Sequence, residues 1–196
     1  IFIPSDISSA SFFIVAALIK ENSNISLKNI GINPLRTGII DVLIEMGADI
    51  KILNKSFKGS ELIGDISVKY SKLKPIKISG SIVSRLIDEF PILFIACATC
   101  EGVSEITDIE ELRYKESDRI KAMEVGLKKL GIMISSTSNS ITIKGSNFNG
   151  GIVDSFGDHR IAMSFIIAGL VSRKPITVTN TDNINTSFPN FFSILR

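Results

Sequence analysis

Only two cysteines, Cys97 and Cys100, occur among the 196 residues. They form one Cys-x-x-Cys with no second pair and no neighbouring histidine, which excludes a four-ligand zinc site. The apolar stretch before them, Ile92-Leu93-Phe94-Ile95-Ala96, favours small buried core residues over a redox pair, and a reducing compartment fits best. Histidine occurs once, at His159, so a metal role for it has no partner ligands. No G-x-S-x-G, G-x-x-x-x-G-K-[ST] or G-x-G-x-x-G occurs, which leaves triad hydrolysis and the common nucleotide folds without support. Neither sign of charge dominates: 22 Lys and Arg against 20 Asp and Glu give +2. That balance excludes a chain held mainly to nucleic acid, which needs a concentrated basic face. Mean hydropathy is +0.31, yet no apolar run reaches the ~18–20 residues of a bilayer span. Disorder is excluded by the abundant aliphatics and mixed charge. No signal or targeting segment is legible, and a start at Ile1 reads as a beginning partway through a larger product.

What the sequence does hold is an internal repeat. Asp6-Ile7-Ser8-Ser9-Ala10-Ser11-Phe12-Phe13 opens with an acid and continues as an Ala-rich apolar helix. Asp88-Glu89-Phe90-Pro91-Ile92-Leu93 and Asp158-His159-Arg160-Ile161-Ala162-Met163 open in the same way. Each Asp is expected to cap the helix that follows by accepting from its free first-turn N–H groups. Helices apolar all round are expected to be buried. A second helix follows at a regular offset, over 36–47 and 119–131, each closing on a glycine fit for a left-handed stop. A third such helix is expected from Ser187-Phe188-Pro189 onward.

Short β-branched runs lie between the helices, at 24–30, 48–53, 76–78, 102–107, 132–135, 141–144 and 175–178. The stretch 55–74 is expected to hold a further hairpin, and Asn149-Gly150-Gly151 reads as a turn. Strands alternating with helices give an α/β (α+β) class, with buried helices and outer sheets. The expectation is a single domain over 1–196, an inside-out, barrel-like arrangement of three repeated βαβαββ-type units. These run over approximately 1–75, 76–150 and 151–196, the third being incomplete.

Charge concentrates before one helix: from Asp108 to Arg119, eight of twelve positions are charged, a density that sets this segment apart. Ile120, Met123, Leu127 and Leu130 then form a core stripe at helical spacing. Glu116 falls one turn before Ile120, near the inward edge, and Lys115 and Arg119 are four apart and face one pocket if the turn is helical. Two readings stand on the residues alone. One is a solvated helix start, with ion pairs worth about 0.3–0.5 kcal/mol each. The other is an anion site, because Lys115 and Arg119 at one helix start, and His159 and Arg160 at another, oppose the helix dipole. Free N–H groups beside a guanidinium make a receptor for phosphate or carboxylate.

Leu112-Arg113-Tyr114-Lys115-Glu116-Ser117-Asp118-Arg119 and Gly157-Asp158-His159-Arg160-Ile161-Ala162-Met163 closely resemble the 3-phosphoshikimate 1-carboxyvinyltransferase (EPSP synthase) family. Asp6-Ile7-Ser8-Ser9-Ala10, Asn33-Pro34-Leu35-Arg36, Ile87-Asp88-Glu89-Phe90-Pro91 and Ser187-Phe188-Pro189 match in family order, so the resemblance runs from end to end. It implies transfer of the enolpyruvyl group of phosphoenolpyruvate to the 5-hydroxyl of shikimate 3-phosphate, by addition and elimination. This is a step of aromatic amino acid biosynthesis and the target of glyphosate, and it uses no metal and no organic cofactor. By resemblance, Asp88 contacts shikimate hydroxyls and accepts a proton, and Glu116 is the acid/base beside the methylene carbon. Lys115 is shared between the substrates, and Arg119 and Arg160 bind phosphoenolpyruvate with His159 beside them. Glu111 occupies a shikimate 3-phosphate position that varies in the family. Ser5 stands where a Gly is usual, and Thr186 stands where some members carry a phosphate-binding Lys.

Family members have two similar domains with the site in the cleft between them, in the cytoplasm, or in the plastid of plants. The resemblance makes this chain the second, C-terminal domain. The first domain and a short N-terminal segment that completes the second are then its missing partners, and the third unit lacks a strand. The isolated chain is expected to be inactive. The alternatives are a non-catalytic anion-binding or interaction module, or a domain like the enolpyruvyl transferase that acts on UDP-N-acetylglucosamine, whose motifs differ.

Overall fold

The structure, a computed structural model, describes residues 2–195. Helix α1 (Ile7–Ile19) leads into β1 (Asn24–Gly31), α2 (Gly38–Glu45) and a hairpin of β2 (Asp49–Lys58) and β3 (Glu61–Lys69). A short β4 (Lys77–Ile78) and a 3-10 helix over Gly80–Leu86 precede α3 (Phe90–Ala98) and β5 (Val103–Ile106). A second 3-10 helix, Glu110–Tyr114, is followed by α4 (Arg119–Lys129) and a hairpin of β6 (Met133–Ser136) and β7 (Ile141–Lys144). Then come β8 (Gly151–Asp154), α5 (His159–Gly169), β9 (Ile176–Thr179) and two short helices, α6 (Asn183–Ser187) and α7 (Phe191–Leu195). Among the described residues no helix is long and apolar enough to cross a membrane.

Helices α1, α3 and α5 form the centre and pack on one another. All nine residues of α3 are buried, and only Ser9 of α1 is not, because neither helix has a polar face to offer water. Two buried hydroxyls of α1 and α5 bond inside their own helices: Ser11 Oγ donates to Ser8 O at 2.6 Å and Ser164 Oγ to Arg160 O at 2.6 Å, which offsets the cost of burying them. Cys97 and Cys100 are unbridged core residues whose thiols burial pushes up to about 12.

The strands form three sheets, ordered β1-β3-β2, β4-β5-β7-β6 and β8-β9. Each central helix connects two parallel partners: β4 with β5 around α3, β8 with β9 around α5, and a bridge from Ser5 to Ile30 around α1. Hairpins pair antiparallel within the first two sheets. Sheet strands lie against α1, α3 and α5, and α4 packs between β6 and β8. The architecture is mixed α/β.

Several local expectations change. The strand at 48–53 and the hairpin at 55–74 are one element pair, since β2 runs from Asp49 to Lys58 and turns at Gly59. Gly151, read as part of a turn, begins β8, with Gly150 and Gly151 at φ of 77° and 143°. The helix expected from Ser187 begins only at Phe191 as α7, and Ser187 instead ends α6, because Pro189 disfavours helical geometry at Phe188, whose φ is −146°.

The crossing of α4 and α5 depends on Gly126. A Cβ there would meet Phe165 Cζ at 2.1 Å, although alanine is the better helix former by about 1 kcal/mol. Overpacking is expected to win, and Gly126→Ala should lose about 1–3 kcal/mol in urea unfolding. Adding Phe165→Leu should restore part of the loss. A stabilised Gly126→Ala would show that helix propensity decides instead.

Candidate active site

Three helix starts meet on one face. Asp6 caps α1, its carboxylate accepting from Ser9 N at 2.8 Å, and Asp158 caps α5, accepting from Arg160 N at 2.9 Å. Asp88 departs from its expected capping role. Glu89 holds the N-cap position of α3 without a side-chain cap, and Pro91 fills the second helical position. Proline has no N–H there, which removes a donor that a cap would use. Asp88 therefore turns outward to cations.

The cations come from α4, α5 and the turn before α4. Lys115 Nζ lies 3.6 Å from Asp88 Oδ1, Arg119 Nη1 lies 3.3 Å from the same oxygen, and Arg160 Nη2 lies 3.6 Å from Oδ2. Burial pushes the Asp88 carboxyl up, but the charges of Arg160, Lys115 and Arg119 outweigh it and hold it below the ordinary aspartate value of 3.8. Lys115 also pairs with Glu111 at 2.6 Å. The turn is not helical at Lys115, whose backbone is extended at the end of the second 3-10 helix, yet its side chain still reaches Asp88.

Arg119 is 1% exposed. Its Nε donates to Asp158 Oδ2 at 2.8 Å, Nη1 faces Asp88 and Nη2 donates to Glu116. The other Asp158 oxygen serves the α5 backbone, and Ser117 Oγ adds a bond to Oδ2 at 3.1 Å. Glu116 is half-exposed at the rim. His159 follows the cap of α5; burial, then the neighbouring Arg160 charge, lowers its pKa below 6.5 and favours the neutral ring.

The structure thus brings Asp88, Glu111, Lys115, Glu116, Arg119 and Arg160 into one cluster, with His159 beside it. Arg113, from the same charged run, points elsewhere. It donates to Ser138 O at 2.8 Å and pairs with Asp118 at 2.6 Å, tying the second 3-10 helix to the β6–β7 turn. Sequence reasoning passed over Ser8, Glu89 and Ser117, and did not see that Arg36 pairs with Asp6 at 3.1 Å. The regular offset from Asp6 to Arg36 and from Asp88 to Arg119 was the available signal, since both spacings become ion pairs. A cavity of about 420 Å³ lies at the opposite ends of the central helices, beside Lys20, Thr99 and Val171, away from this cluster.

Chemically, the cluster offers a proton acceptor kept ionised (Asp88), a half-exposed carboxyl (Glu116) and three cations. Its carboxylates nevertheless match every one of those cations. An anion entering here must displace a carboxylate or bring compensating charge from elsewhere.

A family model described as EPSP synthase (3-phosphoshikimate 1-carboxyvinyltransferase) matches residues 1–195. The 3-phosphoshikimate 1-carboxyvinyltransferase of Legionella pneumophila (strain Corby) is 53% identical over 189 residues, covering 96% of this chain and 44% of that protein. That of Pelobacter propionicus is 50% identical over 197 residues, covering 100% of this chain and 46% of its own length. The solved EPSP synthase from Acinetobacter baumannii superposes with a TM-score of 0.95 at 48% identity, over 98% of this chain and 45% of that one. The enolpyruvyl transferase NikO from Streptomyces tendae shares the fold at 16% identity, with a TM-score of 0.76 over 98% of this chain and 42% of its own. The chain spans less than half the length of these relatives.

Replacing Arg119 by Met leaves the buried Asp158 without its cation and is expected to cost about 3–5 kcal/mol at pH 7, read as a lower urea midpoint. The part carried by Asp88 is complete above pH 3.8 and is lost as pH falls through its lower folded value. The gap between wild type and variant should therefore narrow in acid. No gap at pH 7, or one that widens in acid, contradicts this arrangement.

Proposed function

This chain belongs to the EPSP synthase family, and on that premise we propose that it serves as the second domain of a 3-phosphoshikimate 1-carboxyvinyltransferase. The enzyme joins phosphoenolpyruvate to the 5-hydroxyl of shikimate 3-phosphate. The observation that carries the reading is the convergence of Lys115, Arg119 and Arg160 on Asp88.

Asp88 accepts the proton of the substrate hydroxyl as its oxygen bonds to C2 of phosphoenolpyruvate. The π electron pair takes a proton at C3, and Glu116, half-exposed at the rim, is the group that delivers it. In the elimination the C2–O bond to phosphate breaks, the C3 proton returns to Glu116 and the alkene re-forms, and the departing phosphate carries away the proton that Asp88 took from the hydroxyl. Lys115 lies between the two substrates, Arg160 meets the anionic groups of phosphoenolpyruvate with His159 beside it, and Glu111 orients Lys115 toward shikimate 3-phosphate. Arg119, 1% exposed, acts from beneath: a ligand reaches its guanidinium only where Glu116 or Asp88 swings away.

In this reading the domain is an inside-out, barrel-like fold of three βαβαββ-type units. The pairing β4-β5-β7-β6 around α3 supports it, as do the bridge from Ser5 to Ile30 ahead of β1-β3-β2 and the parallel pair β8-β9. The cluster is one wall of a cleft. The facing domain supplies the further cations that the substrate anions need, since those of this wall are already matched by carboxylates, so the chain alone is inactive. An anion-binding module without turnover is the weaker reading, because every cation already has its carboxylate.

The test is phosphate release by the full-length enzyme that contains this chain. Glu116→Gln is expected to cut turnover by about 10²–10⁴-fold, and Arg160→Ala by about 10²–10³-fold, both in folded protein as judged by circular dichroism. Unchanged turnover in both variants refutes the site, and an inactive wild type refutes the enzyme.

A further inference from the structure

Glu89 has no part in the roles above, although only Asp158 among the carboxylates of the cluster is buried more deeply. It stands at the N-cap of α3 without capping it. Its side chain crosses instead to α1, where Ser8 Oγ donates to Oε1. Ser8 is 3% exposed, and Arg36 Nη2 donates to the same hydroxyl at 3.2 Å. On its other side, Glu89 Oε1 lies 3.9 Å from Arg160 Nη1, the nitrogen that donates to Asp88 O at 3.2 Å. One carboxylate thus joins the first turns of all three central helices.

Such a group is costly to keep. Burial pushes the Glu89 carboxyl up, and the nearby Asp88 charge adds to the rise. The Ser8 hydroxyl and the charges of Arg160 and Arg36 offset this only in part. A buried acid that neither caps its helix nor is fully neutralised is the kind of local conflict found where a site requires it. Arg160 supplies the requirement. Its other partner, Asp88, is shared with Lys115 and Arg119 and must turn to the substrate hydroxyl during addition. An arginine held by Asp88 alone would move with it.

We propose that Glu89 is a positioning residue: anchored by the Ser8 hydroxyl, it holds the Arg160 guanidinium in place for the anionic groups of phosphoenolpyruvate while Asp88 engages the other substrate. The proposal rests on the enolpyruvyl-transfer reading, which gives Arg160 its anion.

The experiment compares wild type, Glu89→Gln and Ser8→Ala in the full-length enzyme, by steady-state kinetics for each substrate and thermal unfolding across pH. Glutamine keeps the shape and an acceptor for Ser8 but removes the charge. In Glu89→Gln the KM for phosphoenolpyruvate should rise about tenfold, with that for shikimate 3-phosphate unchanged and kcat less affected. Its Tm should be no lower at pH 7. The folded pKa of Glu89 is raised, so the cost of its charge is absent below the ordinary value of 4.5 and grows as pH rises through the folded value. Any gain in Tm should therefore vanish below pH 4.5. Ser8→Ala, which frees the carboxylate without removing it, should shift the same KM by about threefold. A changed Tm with both KM values unmoved in both variants overturns the proposal, leaving Glu89 a structural group. Should Glu89→Gln fail to fold, Ser8→Ala decides alone. Turnover by wild type with unaltered variants defeats this inference only, whereas an inactive wild type defeats the reading beneath it and the inference together.

Discussion

The rest of the structure depends on one buried guanidinium. Arg119 has almost no contact with water and is held by carboxylates from three elements: Asp88 before α3, Glu116 before α4 and Asp158 at the start of α5. An arginine cannot shed its charge, so burying it demands that oxygen acceptors stay in place around its nitrogens. Asp158 meets that demand with one oxygen while the other caps α5, which fixes the helix start and the cation together. The packing of the apolar helices and the geometry of the charged face are in this sense one problem with one solution.

That solution has an electrostatic consequence. Lys115 sits against Glu111 and Asp88, and Arg160 against Asp88 and Glu89, so the face is rich in cations without presenting net positive charge. The free N–H groups at two helix starts are likewise engaged by Asp6 and Asp158. A dianion gains little from such a wall until a second surface adds charge, and the chain spans less than half the length of its relatives. A wall with matched charges is what the proposed role as one side of a cleft requires.

The central helices were legible because a run such as Phe90-Pro91-Ile92-Leu93-Phe94 has no polar face, and the strands because β-branched runs end in polar turns. Asp6 and Asp158 were legible as caps. Asp88 was not, because its likeness to them in sequence hides the effect of Pro91, which takes a donor from the first turn and frees the acid to meet cations instead. The burial of Arg119 was hidden as well: in a run dense with charge, every member reads as solvated until the partners that neutralise it are folded around it. β8 escaped notice because Gly150 and Gly151 look like a turn and leave only Ile152 and Val153 to mark a strand. Lys115, Glu116, Arg119, His159 and Arg160 stand out by charge placement as well as by motif resemblance, and Asp88 and Glu111 as site residues by resemblance alone, whereas the shared set of carboxylates that joins the cations appears only in three dimensions.

The most direct measurement is phosphate release from phosphoenolpyruvate and shikimate 3-phosphate by this chain alone, then by the chain mixed with the facing domain of the same enzyme. A single wall with matched charges predicts no release from the chain alone and release from the mixture. Release by the chain alone, or none from the mixture, would contradict it.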